Sequence, residues 1–210
     1  MLPDTVIMNV IFDPTSARSG GKLRAASVVL ISLCLLSLAG CGRSDNALSD
    51  VASPSPSPAS ATDTATDRSY HYGTKINFGA SGNAAPYKVS GWNSPEPEST
   101  WTAGQAAKLA FKIPPASNAV TFKAVVSGFV KPPELPSQPV TVVINGQEVA
   151  HWEIAAKGVA QMDIPAQFTQ NGKLELEFRL PKAASPASLG VSIDERVLGM
   201  CFYELELTAP

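Results

Sequence analysis

Residues 173–180 read Lys173-Leu174-Glu175-Leu176-Glu177-Phe178-Arg179-Leu180, with an apolar side chain at every second position and a charge at each one between. Successive side chains of an extended chain point to opposite faces, so this run predicts a strand with one face in a core and one in water. A helix would scatter the same leucines around its circumference. The pattern recurs upstream. Leu109, Phe111 and Ile113 alternate with Lys108, Ala110 and Lys112, and Val120, Phe122, Ala124 and Val126 alternate with Thr121, Lys123 and Val125. Val140, Val142 and Ile144 lead into Asn145-Gly146, a dipeptide suited to a tight hairpin because both positions tolerate positive φ. The return strand then carries Trp152 and Ile154 on one face, His151 and Glu153 on the other, and Met162 and Ile164 continue the meander. A second turn signal, Asn171-Gly172, stands just ahead of the opening run. Downstream, Cys201 to Leu207 gives a last strand, with Tyr203, Leu205 and Leu207 inward and Glu204 and Glu206 outward.

No segment keeps a helical period for long. Gln105 to Lys108 is expected to form a turn, and Pro165 to Gln170 a short helical loop. Prolines 114, 115, 132, 133, 136 and 139 are expected between strands, where a missing N–H costs nothing. Short strands with half-polar faces predict an all-β domain of two packed antiparallel sheets, a β-sandwich, over residues 70–210. Roughly 140 residues bury enough surface for such a core without disulfides.

The other end of the chain reads differently. Lys22 and Arg24 precede an apolar run from Ala25 to Leu38, closed by Leu38-Ala39-Gly40-Cys41. A run of roughly 14 residues is shorter than the ~20 that a spanning helix needs. The pattern is that of a bacterial lipoprotein signal, so residues 1–40 are expected to be removed and Cys41 to carry lipid. A short uncleaved membrane anchor is the alternative. Residues 1–21 do not suit a signal start, and Met8 is one later candidate for it. Gly42 follows the cysteine where an Asp would retain a lipoprotein at the inner membrane. By that resemblance the address is the outer membrane, periplasmic face. Acyl chains hold because each buried methylene contributes about 0.8 kcal/mol. Residues 41–69 then form a flexible linker rich in Ser, Pro, Ala and Thr, with too little apolar surface to offset its ordering entropy.

Charge and cysteines narrow the partners. The whole chain carries a formal net charge of −2. Loss of residues 1–40 removes Arg18, Lys22, Arg24, Asp4 and Asp13, leaving 13 basic against 16 acidic residues, or −3. Such a balance, without a basic tract, argues against nucleic acid. Cys34 lies in the export segment and Cys41 at the lipid site, so Cys201 alone remains in the domain. One thiol builds neither an intrachain disulfide nor a cysteine metal site. His71 and His151, the two histidines, have no ligand partner nearby in sequence, and no Asp-x-Asp spacing suggests calcium. No cofactor and no metal are expected.

Periodicity leaves two polar clusters unexplained. One is Gly91-Trp92-Asn93-Ser94-Pro95-Glu96 with Trp101-Thr102-Ala103-Gly104. The other runs from Ser185-Pro186 through Leu189-Gly190-Val191-Ser192-Ile193-Asp194-Glu195-Arg196-Val197-Leu198-Gly199. On these blocks residues 73–207 resemble an uncharacterised β-sandwich domain appended to bacterial membrane glycosyltransferases and related envelope sugar proteins. There the motifs run roughly Gly-Trp-Ser-x-Pro-Glu, Trp-x-x-Gly, then Ser-Pro-x-x-Leu-Gly-x-Ser-x-Asp-x-Arg-x-Leu-Gly. This chain departs by Asn93 in place of Ser, and by a lipid anchor in place of the membrane enzyme. The resemblance implies a jelly-roll or carbohydrate-binding-module-like sandwich, with an envelope glycan or a sugar-processing protein as partner.

From the residues themselves, Trp92 and Trp101 offer rings for stacking against a sugar. Glu96, Asp194 and Arg196 offer acceptors and a planar donor fork for hydroxyls. The same set also suits a purely structural use, with tryptophans plugging one end of the sandwich and Arg196 pairing with Glu96 or Asp194 to pin two loops. Catalysis is not expected. An arginine beside a carboxylate holds its pKa low, which does not suit a general acid.

Overall fold

The computed structural model describes residues 67–210. The export segment, Cys41 and most of the linker lie outside the described residues. Ten strands fold into two antiparallel sheets: β1 (Ile76–Asn77), β2 (Lys88–Ser90), β3 (Thr100–Trp101), β4 (Ala106–Lys112), β5 (Val120–Gly128), β6 (Gln138–Ile144), β7 (Gln147–Ile154), β8 (Gly158–Ile164), β9 (Lys173–Arg179) and β10 (Met200–Thr208). One sheet has the order β1-β10-β5-β8, with β3 also paired to β10, and the other has the order β2-β4-β9-β6-β7. Helical structure among the described residues is confined to two single 3-10 turns, Ala85–Tyr87 and Ala166–Phe168. The protein is therefore an all-β sandwich.

Alternation decides which side of each strand meets the other sheet. The opening run is β9, where Leu174, Leu176 and Phe178 are buried and Lys173 and Arg179 are exposed. Its neighbours keep the same parity, since Leu109 faces Leu176 across β4–β9 and Val142 faces Phe178 across β6–β9. Phe122 of the other sheet reaches between Trp152 and Phe178, with ring centroids 5.9 and 6.3 Å away. These rings hold the two layers together at their centre. The hairpin joins β6 to β7 as expected, with Asn145 at φ 48° and Gly146 at φ 85°.

Four expectations give way to the structure. β8 does not continue a meander from β7. It crosses to the other sheet and pairs with β5, Met162 opposite Phe122. Every connection except β6–β7 changes sheet, and the turn expected at Asn171-Gly172 lies on one of these crossovers, with Gly172 at φ 72°. Tyr203 is not inward, because the register of β10 shifts between Phe202 and Glu204. Phe202 is fully buried before the bulge and Leu205 and Leu207 after it, while Tyr203 is turned half out and lies under the Lys157 ammonium, 3.4 Å from its ring centroid. One extra residue in a strand flips the parity of all that follows, and a period-2 reading cannot see it. The turn at Gly104-Gln105 is short, and Ala106 to Lys108 belong to β4. Pro139 lies inside β6, opposite Glu153, where β9, whose pairing with β6 begins at Thr141, no longer flanks it.

This topology gives the sandwich two poles. The chain enters at one, where Lys112 N–H donates to the Arg68 carbonyl at 2.8 Å. β4 starts at the other pole, beside residues 91–104 and 184–199. Its seven residues span about 20 Å at roughly 3.3 Å each. Both polar clusters thus sit at the pole away from the chain entry.

Candidate functional site

The two clusters are sewn together by backbone hydrogen bonds. Gly104 N–H donates to the Val197 carbonyl at 2.9 Å, Thr102 N–H to Met200 at 2.8 Å and Ala103 N–H to Gly91 at 2.7 Å. Met200 N–H in turn donates to the Thr102 hydroxyl at 3.0 Å, a bond buried with its partners. Gly91 sits at φ 75° against the start of β4, where a Cβ would run into the Ala106 carbonyl. Only glycine fits there, which fixes where the first cluster leaves the sheet.

The structure gives the two tryptophans different work. Trp92 is half-buried and its ring lies against Phe78 and Phe202, with centroids 5.5 and 5.3 Å away. Its Nε1–H donates to the Lys108 carbonyl at 2.8 Å. Its position is that of a plug at the end of the core. Trp101 belongs to a smaller cluster with Phe129, Leu135 and Leu198, and packs edge-on to Phe129 at 6.4 Å. Like Trp92 it is half-buried, and Leu189 and Leu198 of its cluster come from the loop that carries Arg196.

Glu96, Asp194 and Arg196 meet as the sequence allows. Arg196 Nη2 donates to Asp194 Oδ2 at 2.7 Å and its Nε to both Asp194 oxygens at 3.1 and 3.0 Å. Nη1 and Nη2 each lie 3.3 Å from Glu96 Oε1. Asp194 also accepts the backbone N–H of Arg196 at 2.9 Å. The Arg196 hydrogen bonds hold the Asp194 carboxyl below its usual range, and Asp194 raises the guanidinium pKa in return. The side chains remain 42%, 38% and 29% exposed for Arg196, Glu96 and Asp194. The triad is therefore a wet surface feature rather than a buried ion pair. With Nε, Nη1 and Nη2 all engaged by the two carboxylates, it offers a polar ligand chiefly carboxylate acceptors, and its ionised aspartate does not suit proton donation.

Three apolar side chains on the same loop escaped the sequence reading. Val191 and Val197 are exposed, and Ile193 is 96% exposed at the loop tip. Turn formers around them hide any periodicity that would flag them. Cys201 is buried in β10 opposite Trp101, and burial pushes its thiol pKa up. His151 Nε2 lies 2.8 Å from Glu148 on the outer face of β7. Among the described residues no three His, Cys, Asp or Glu side chains gather to hold a metal, and no helix is long and apolar enough to cross a membrane.

Two surface depressions lie elsewhere. One of about 190 Å³ is on the outer face of the β10 sheet, among Lys75, Lys123, Glu204 and Glu206. The other, an open groove of about 670 Å³, is at the chain-entry pole and is lined by Arg68, Lys112, Asn171, Lys173 and Glu175 among others. None of the five predicted residues lines either one.

No family model matches the chain, and no curated protein matches it. Among solved structures, it is similar to a stretch of a family 115 4-O-methyl-alpha-glucuronidase specific for decorated arabinogalactans, at 12% identity and a TM-score of 0.43, over 66% of this chain and 18% of that one. It is also similar to the C-terminal family 6 carbohydrate-binding module of a marine laminarinase from Zobellia galactanivorans, at 10% identity and TM-score 0.39, over 65% of this chain and 98% of that one. A family 36 carbohydrate-binding module in complex with calcium and xylotriose gives 14% identity and TM-score 0.38, over 64% and 99%. The chain spans less than a fifth of the glucuronidase. At such low identity and superposition, what this chain does has to be argued from its own side chains.

Proposed function

We propose that this is a non-catalytic, lipid-anchored module of the cell envelope that binds glycan at the pole away from its chain entry. The observation that carries the reading is the exposed Glu96–Arg196–Asp194 triad beside Trp101. Two exposed carboxylates, held in place by the guanidinium, meet a sugar's vicinal hydroxyls with acceptors, and an indole offers an apolar face for the ring. Trp92 supports this surface from beneath through Phe78 and Phe202. The acyl chains on Cys41 would hold the module at the outer membrane, on its periplasmic side. Chain entry at the opposite pole would leave the binding pole turned outward from the attachment point.

Titration of the intact chain with envelope polysaccharide fragments tests the reading. Binding should saturate and should weaken at least tenfold in Trp101→Ala and Arg196→Ala. Binding that ignores both changes would remove the site.

A second reading has its own observation. Ile193, Val191 and Val197 present apolar surface on the same loop, which suits a protein-interaction module with no sugar ligand, one that could dock an envelope sugar-processing protein. An Ile193→Asp variant separates the two. It leaves glycan affinity intact on the first reading and abolishes a protein complex on the second.

A further inference from the structure

The β4–β9 register sets Lys112 directly opposite Lys173, both exposed and both on the outer face of the sheet. Like charges facing each other across an antiparallel pair destabilise the sheet. Among the described residues neither lysine forms an ion pair, and Arg68 does not either. All three line the 670 Å³ groove at the chain-entry pole. Two acids lie close. The Asp67 carboxylate is engaged by the backbone N–H and hydroxyl of Ser69 at 3.0 and 2.6 Å, and Glu175 is held by Lys108 at 3.1 Å. Three cations thus line one groove near two carboxylates, Asp67, whose charge also acts on Lys112, and Glu175, which is shared with Lys108.

The rest of the lining adds polar groups to the cations. The groove's volume falls within the roughly 300–1,000 Å³ of small-molecule sites. Ala110 supplies an apolar patch on the outer face, and Asn171 and Glu175 supply an amide and an acceptor suited to hydroxyls. Asn171 uses its oxygen to accept Lys173 N–H at 2.9 Å, which leaves the amide nitrogen for a ligand. A bare phosphate or a lipid headgroup would need the cations but not the carboxylate acceptor.

We propose that this groove is a second binding site, which takes an acidic oligosaccharide with a sugar carboxylate held by Lys112, Lys173 and Arg68. It extends the glycan reading to the other pole, and the two fail separately because the residues tested differ. The mature protein, held in phosphatidylcholine nanodiscs, is titrated with trigalacturonate, with a neutral trisaccharide and with phosphatidylglycerol vesicles.

Trigalacturonate should bind, the neutral sugar at least tenfold more weakly, and affinity should fall steeply with salt. Lys112→Ala and Lys173→Ala should each lose at least tenfold, whereas Lys123→Ala, on the outer face of the other sheet, changes nothing here. Lys173→Glu gives a further readout. It replaces a like-charge pair by an opposite-charge one, so it should raise the melting temperature while abolishing binding. No binding at millimolar trigalacturonate, equal affinity for the neutral sugar, binding to vesicles alone, or a Lys173→Glu variant that binds as well as wild type would each overturn the proposal.

Discussion

Arg196 and Glu96 stand a hundred residues apart in the chain and 3.3 Å apart in space. The guanidinium thereby ties the loop before β10 to the loop before β3, and the backbone bonds around Gly104 and Thr102 already hold those loops in register. Because both side chains are exposed, their coupling is small. A double-mutant cycle with Glu96→Gln and Arg196→Gln should return under about 1 kcal/mol of interaction energy. A larger value would mark the pair as a structural clamp rather than an available surface.

The two tryptophans should separate stability from binding. Trp92→Ala empties the space against Phe78 and Phe202 and strands the Lys108 carbonyl, at a cost of about 3 kcal/mol. Trp101→Ala removes one edge of a small cluster and should cost about half as much, while removing glycan affinity. Denaturant melts of both variants check this, and equal losses would contradict the division.

The glycines of the first cluster offer a paired test. Gly91 and Gly104 both sit at φ 75°, but a Cβ on Gly91 meets the Ala106 carbonyl while one on Gly104 meets open space. Gly104→Ala should cost about 1 kcal/mol. Gly91→Ala should cost more than about 3 kcal/mol, or prevent folding, since backbone strain and collision add.

Acid should loosen the binding pole. Asp194 has a folded-state pKa below the ordinary 3.8 of an aspartate, held there by Arg196. A depressed carboxyl contributes stability that is fully present above its unfolded pKa and is lost as pH falls through the folded one. Asp194's part therefore begins to fade below about pH 4 and is gone under its lowered value. Carboxyl resonances followed by NMR should show Asp194 titrating late in acid, and returning to its ordinary range in Arg196→Gln.

Cys201 should be silent in the folded protein. Buried in β10 with its thiol pKa raised, it should react with a thiol reagent only after denaturation. Labelling of the native domain at the rate of a free thiol would contradict its position. Attachment is checked by the intact mass of the membrane-extracted protein, which should show a mature start at Cys41 with an acyl adduct on it; another start or no adduct would contradict the anchor.

The strands were legible because their neighbours are water on one side and core on the other. Leu174, Leu176 and Phe178 announce their face without help from the rest of the chain. The Asn145-Gly146 hairpin was legible because its turn demands positive φ at both positions. Residues 158–164 read as a strand, but nothing local says that they cross to the other sheet. The bulge at Tyr203 adds a residue that no alternation records. At the pole that bears the triad, Glu96, Asp194 and Arg196 were legible in sequence, yet only the fold shows Trp92 turned inward and Ile193 turned out. The Lys112–Lys173 pair was invisible for the same reason, since two outward lysines on separate strands become neighbours only through register.

Two indole resonances decide the matter of the glycan site. In a two-dimensional NMR spectrum of the intact chain, added envelope polysaccharide fragments should shift the Trp101 indole N–H and the Arg196 Nε–H in a saturable way. The Trp152 indole, deep between the sheets, should stay in place. Unmoved Trp101 and Arg196 signals at saturating fragment, or shifts confined to other faces of the sandwich, would show that the pole bearing the triad does not bind glycan.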